Sequence, residues 1–119
     1  MKAIKLIVLV CSLLLLTHFS TSYAQIIKTS LTLTVRDEIG NTVQDANVKL
    51  FEKEDDYVAE KNWVTEGTTD EKGVVKFKNL KAIPYFVLAK KDDKDNAGGG
   101  EQTGKLEEKK FNKATIVIQ

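Results

Sequence analysis

Apolar and polar residues alternate with a period of two along much of this 119-residue chain. In a β-strand, successive side chains point to opposite faces, so this alternation predicts strands with one buried face. The alternating segments are residues 31–35, 46–50, 75–77 and 114–118. Residues 85–89 are instead apolar at consecutive positions, which predicts a central strand that is buried on both faces.

The segments between these strands contain residues that form turns. Asp37-x-x-Gly40 and Asp70-x-x-Gly73 share one pattern, in which aspartate suits the first position of a type I turn and glycine adopts the positive φ that closes it. We expect residues 52–56 to form an acidic loop, residues 57–65 one or two edge strands, and residues 105–113 the one short helix. The sequence therefore predicts an all-β protein, an antiparallel β-sandwich of about seven strands.

The N-terminus has the pattern of a secretory signal peptide. Lys2 and Lys5 precede an apolar run at residues 6–16, and Ser22 and Ala24 are small residues at the positions that a signal peptidase inspects. The run is shorter than the about 20 residues of a transmembrane helix. We therefore expect a signal peptide at residues 1–24 and one exported domain, periplasmic or secreted, at residues 25–119.

Cleavage before Gln25 would leave 95 residues without Cys11 or His18, the only cysteine and the only histidine. Cys11 also lies in the middle of the apolar run, where a bacterial lipoprotein does not place its modified cysteine. Of the 18 basic residues two lie in the leader, so 16 remain against 17 acidic residues, with the signs interspersed. This balance favours no nucleic-acid surface. Without thiol or imidazole, we expect no enzyme, no cofactor, no catalytic residue and no metal site.

Two groups of residues resemble the carboxypeptidase regulatory-like, transthyretin-like (prealbumin-like) domains. They are Asp37-x-x-Gly40 with Val43 and Ala46-x-Val48, and Thr69-Asp70-x-x-Gly73 with Val75-x-Phe77, Asn79-Leu80 and Tyr85-x-Val87. The resemblance covers residues 30–90 and implies a prealbumin-like sandwich, a carbohydrate-binding-like fold. Such domains occur in exported bacterial proteins and as appendages to peptidases or outer-membrane transporters.

The polar loop at residues 91–105 allows two interpretations. It is a flexible, solvated loop, or it holds calcium through hard oxygen ligands. The candidate ligands are Asp92, Asp93, Asp95, Asn96 and Glu101. Their spacing does not match an EF-hand. Residues 99–105 match G-x-x-x-x-G-K, but Leu106 replaces the hydroxyl residue that a phosphate-binding loop places after its lysine.

Two further kinds of chemistry have candidate residues. An internal isopeptide bond would join Lys28 to Asn112, but Ala89 stands where a proton-shuttling glutamate is needed. Trp63, Tyr57 and Tyr85 offer an aromatic platform for a sugar, although we expect Trp63 and Tyr85 to lie in the core. No carboxylate pair or Ser-Lys dyad is singled out by spacing.

These observations indicate an exported, non-catalytic β-sandwich domain that binds a protein or glycan partner of the cell envelope through its surface. An exposed sheet edge that receives a partner strand is one such mode of binding. The alternative is a small calcium-binding domain that uses loop 91–105. We expect no nucleic-acid partner, and no membrane span after cleavage of the signal peptide.

Overall fold

The computed structural model describes residues 27–119, which form seven strands and one short helix. The predicted signal peptide at residues 1–24 lies outside the described residues. In chain order the elements are β1 Ser30–Asp37, β2 Asn47–Phe51, α1 Glu54–Ala59, β3 Thr65–Thr68, β4 Val74–Phe77, β5 Phe86–Lys91, β6 Lys94–Asp95 and β7 Phe111–Ile118.

The strands form two sheets that pack face to face. Sheet I has the order β4-β1-β7 and sheet II the order β3-β2-β5-β6. The predicted β-sandwich is thus confirmed. Every strand pair is antiparallel except β1 and β7, which run parallel from Ser30↔Phe111 to Asp37↔Ile118. The parallel pair consists of the first and last strands. A hairpin cannot connect parallel strands, and here the long connection between β1 and β7 includes all the strands of sheet II.

Most of the core between the sheets consists of residues that the alternating segments predict. Leu31, Leu33 and Val35 of β1 are fully buried against Val48 and Leu50 of β2. The other members come from β4, β5, β7 and the flanking loops: Ala46, Val75, Phe77, Tyr85, Val87, Ala89, Leu106, Ile116 and Ile118. Without a disulfide in this part of the chain, the apolar contacts of these side chains supply most of the stability.

Strand β5 is buried on both faces, as its sequence predicts, because helix α1 covers the outer face of sheet II. Phe51, Tyr57 and Leu88 form a second apolar cluster there, and the rings of Phe51 and Tyr57 meet edge to face at 5.9 Å. The expectations of a loop at residues 52–56 and of strands from residue 57 are therefore wrong. A six-residue helix is too short to show a helical period, although its acidic first turn suits the positive end of the helix dipole.

The segment at residues 105–113, expected to be a short helix, is also different. It consists of turns that lead directly into β7 at Phe111. Lys109 has a φ of +56°, which no α-helix accommodates. Leu106 is buried in the main core and holds the segment against the sandwich.

Both Asp-x-x-Gly turns form as predicted. Asp37 and Asp70 each accept two hydrogen bonds, at 2.8–3.1 Å, from the backbone N–H groups two and four residues further on. Gly40 and Gly73 adopt φ values of +93° and +74°. The carboxylates thus accept hydrogen bonds from backbone N–H groups of the turn, where the chain reverses direction.

Stability should depend on pH through Asp70. Hydrogen bonds from the N–H groups of Val74 and Lys72 hold the pKa of this carboxyl below its ordinary value. Because the pKa is lower in the folded state, the contribution is complete above about pH 4 and is lost as the pH falls through the folded value. We expect Asp70→Asn, which keeps an oxygen acceptor, to lose less stability on acidification than the parent. Urea denaturation at several pH values measures this, and an equal loss in both proteins would contradict it.

Candidate functional site: the open edge of β7

Strand β7 forms one edge of sheet I, and one side of its backbone is free. The N–H of Ser30 donates to the carbonyl of Lys110 at 3.1 Å, so the even-numbered residues of β7 direct their backbone groups toward β1 in the parallel ladder. The backbone groups of residues 111, 113, 115 and 117 therefore point away from the sheet. Within the described part of the chain, no strand pairs with this side of β7.

The free edge ends at Gln119. Its backbone N–H and carbonyl exchange two hydrogen bonds of 3.1 Å with Asp95 at the end of β6. This contact closes the gap between the two sheets at one corner of the sandwich. An incoming strand would therefore have about seven residues of edge available, beginning at Phe111.

The side chains along this edge combine apolar and basic character. On the outer face, Phe111 is 65% exposed and Val117 is 41% exposed, with Lys113 and Thr115 between them. The other edge strands, β3, β4 and β6, have only four, four and two residues. Long edges with exposed apolar residues are templates for pairing with another chain, so β7 is the edge best suited to strand addition.

Loop 91–105 is tied to sheet II by a buried asparagine. The side chain of Asn96, 7% exposed, accepts a hydrogen bond from the N–H of Ala89 and donates one to the carbonyl of Val87, both at 2.8 Å. It therefore continues the sheet beside β5 where β6 ends. The phenol of Tyr57 donates to the carbonyl of Asn96 at 3.0 Å, and burial raises the pKa of this phenol. These bonds fix Asn96 and the short strand β6 within the segment, whereas most of the residues that follow, 97–100, 102, 104 and 105, are exposed, as the interpretation as a solvated loop expects.

The candidate calcium ligands are not brought together. Between residues 27 and 119, no three acidic side chains form a group able to hold a metal ion. Asn96 uses its amide within the sheet, and Asp95 accepts a hydrogen bond from the N–H of Ala97. The geometry therefore gives no support to the calcium alternative.

The two candidates for an isopeptide bond, Lys28 and Asn112, have different surroundings. The amide of Asn112 accepts a hydrogen bond from the N–H of Glu107 at 2.8 Å and donates to the carbonyls of Ser30 and Glu107 at 3.0 Å. Its register partner in β1 is Leu31, while Lys28 is exposed in a cleft on the outer face of sheet I. Asn112 therefore closes the turn that precedes β7.

The aromatic residues do not form one platform. Tyr57 and Tyr85 are buried, but Trp63 is 40% exposed, so the expectation that Trp63 lies in the core is wrong. The ammonium of Lys49 lies 3.9 Å from the centroid of its ring, a favourable cation–π distance. Trp63 lies in the connection between α1 and β3, which packs on the outside of sheet II.

Comparison with known proteins shows the fold. The structure is similar to two crystal structures of BcpA, the major pilin subunit of Bacillus cereus. A single-residue variant matches with a TM-score of 0.53 and 22% identity, and the other with 0.52 and 20%. The Bacillus anthracis TIE protein matches with 0.50 and 22%. Each alignment covers 77% of this chain, but only 30% of BcpA and 17% of TIE, so the chain spans less than a third of either protein.

No family model matches the chain, and neither does any curated protein. The comparison with solved structures, at 20–22% identity, establishes the architecture of the domain and nothing further. Among residues 27–119 there is no helix with the length and hydropathy needed to traverse a lipid bilayer.

Proposed function

We propose that residues 25–119 form an exported, non-catalytic domain of the transthyretin-like kind, which acts by binding a protein partner at the free edge of β7. The open backbone of this eight-residue strand is the observation that carries the proposal. Adding a strand supplies main-chain hydrogen bonds that need no catalytic or metal-binding residue. The Asp-x-x-Gly turns and the two-sheet core support the transthyretin-like assignment.

The neighbours give the proposal a biological setting. BcpA is the major pilin subunit of Bacillus cereus. A domain of the same architecture on an exported chain suits a structural or adhesive role at the cell envelope. The apolar residues Phe111 and Val117 at the two ends of the edge favour a protein over a glycan as partner.

The first experiment tests export. N-terminal sequencing of protein recovered from the envelope or culture fluid of the producing cell should begin at Gln25. Recovery of a chain that still begins at Met1, or only from the cell interior, would contradict the export part of the proposal and leave the edge to be judged separately.

The second experiment tests the edge. A photo-crosslinking amino acid at Lys113, on the outer face of β7, should yield a defined protein adduct in the envelope fraction. Thr115→Pro should abolish the adduct without unfolding the domain, because the N–H of residue 115 faces away from β1 and proline is tolerated at edge positions whose N–H is free. The matched control places the crosslinker at Lys61, which is exposed in the connection between α1 and β3. The proposal fails if the adduct persists in the proline variant or forms equally at both positions.

A further inference from the structure

A cleft of about 430 Å³ lies on the outer face of sheet I, where β1 and β7 begin and β4 ends. The basic side chains that line it are Lys28, Lys76 and Lys78. Its apolar wall consists of Phe111, the first residue of β7, and Ile27, which is 45% exposed. The cleft is thus continuous with the free edge.

The charge of this cleft is uncompensated within residues 27–119. None of its three lysines forms an ion pair there, whereas other lysines, such as Lys81 and Lys90, pair with glutamates. Among the described residues that line the cleft, none carries a carboxylate. The ammonium of Lys76 lies 5.0 Å from the ring centroid of Phe111, so charge and apolar surface are side by side. A ligand that matches this surface carries negative charges next to an apolar group.

A buried hydroxyl also faces the cleft. Ser30 is 3% exposed, and its Oγ has no hydrogen-bond partner among the described residues. Ser30 alternates with the core residue Leu31 in β1, so its side chain belongs to the outer face, where it lines the cleft. Buried polar groups in folded proteins are nearly always paired. An unpaired donor beside three lysines is therefore a feature that an incoming oxyanion would satisfy.

We propose that this cleft recognises an acidic, extended protein segment, with carboxylates placed on the three lysines and on the Ser30 hydroxyl and an apolar side chain placed against Phe111. This inference rests on the proposed function, since it names the chemistry of the strand that adds to β7. Because the cleft opens at Phe111, one extended segment reaches both the edge and the lysines. An anionic glycan would use the lysines but leave the backbone edge and the apolar wall without a contact.

The test uses the protein purified after expression of the full chain. The probe is a fluorescent ten-residue peptide with Glu and one Val at alternate positions, so that they share one face of the extended chain, and Thr at the positions between them. Its counterpart has Gln in place of Glu. Binding is followed by fluorescence anisotropy at low and at physiological salt. We expect the acidic peptide to bind at least tenfold more tightly than the Gln peptide, with an affinity that falls as salt rises.

Three variants identify the site. Changing Lys28, Lys76 and Lys78 together to Gln should weaken binding about tenfold, because each exposed ion pair contributes a factor of only two or three. The matched control changes Lys53, Lys61 and Lys72, which lie outside the cleft, and should bind like the parent. Ser30→Ala should weaken binding severalfold without lowering the melting temperature, since it removes a hydroxyl that has no partner.

The outcomes separate this inference from the proposed function. The inference of an acidic segment would be overturned by equal affinity for the two peptides, by equal effects of the two triple lysine variants, or by no binding of either peptide. The crosslinking experiment at Lys113 tests the edge of β7 independently. If Thr115→Pro abolishes peptide binding and the triple variant of Lys28, Lys76 and Lys78 weakens it, both proposals are supported. A sulfated oligosaccharide that binds more tightly than the peptide, and is lost with the cleft lysines, would overturn the inference in favour of a glycan.

Discussion

Changing Asn96 to Ala is expected to lower the free energy of unfolding by about 2–6 kcal/mol. The variant leaves the N–H of Ala89 and the carbonyl of Val87 without their partners. Both groups belong to residues that are fully buried, so water does not replace the lost bonds, and each unpaired buried group costs about 1–3 kcal/mol. Urea denaturation followed by circular dichroism measures the change.

Asn47→Ala is the matched control for this prediction. Asn47 is half-buried in β2, and its amide makes one side-chain bond, of 3.3 Å, to the exposed Glu66. We expect its replacement to cost less than about 1 kcal/mol. If both variants lost the same stability, Asn96 would not be the residue that ties loop 91–105 to sheet II.

Changing Gly73 to Ala is expected to cost about 3 kcal/mol or more, for two separate reasons. The first is its φ of +74°, which costs a residue with a Cβ about 1–2 kcal/mol. The second is space, because an added Cβ would lie 2.9 Å from the backbone nitrogen of Val43 and 3.0 Å from the carbonyl oxygen of Val35. Backbone atoms of the core strand and its neighbour cannot move aside without disturbing the packing.

Gly104→Ala separates these two causes. Gly104 has nearly the same φ, +72°, but apart from its own chain neighbours no heavy atom of the described residues lies within 4 Å of the position that an added Cβ would take. It should therefore show only the conformational cost of about 1–2 kcal/mol. Thermal and urea denaturation of the two variants give the difference, which reports the close approach at Gly73. Equal destabilisation would mean that the contact with Val43 and Val35 relaxes freely.

The local features of this protein were predictable from its residues. Alternation in β1, as at Leu31 and Leu33, indicates which side chains face the core, because the period of a strand depends only on the backbone. Asp70 and Gly73 likewise indicate a turn, since the aspartate bonds to its own neighbours and the glycine adopts a φ that other residues avoid. The helix at Glu54–Ala59 is not predictable in this way, because six residues are too few to establish a period.

The role of each strand in the sheets was not predictable in the same way. The residues of β7 predict a half-buried strand equally well in the middle or at the edge of a sheet. The order β4-β1-β7 follows from contacts between residues about 40 to 80 positions apart. The same holds for Trp63, which is apolar but lies outside, and for Asn96, which is polar but lies inside. Local sequence encodes backbone periods and turns, whereas exposure of an edge, unpaired lysines and a buried hydroxyl arise only when distant segments pack together.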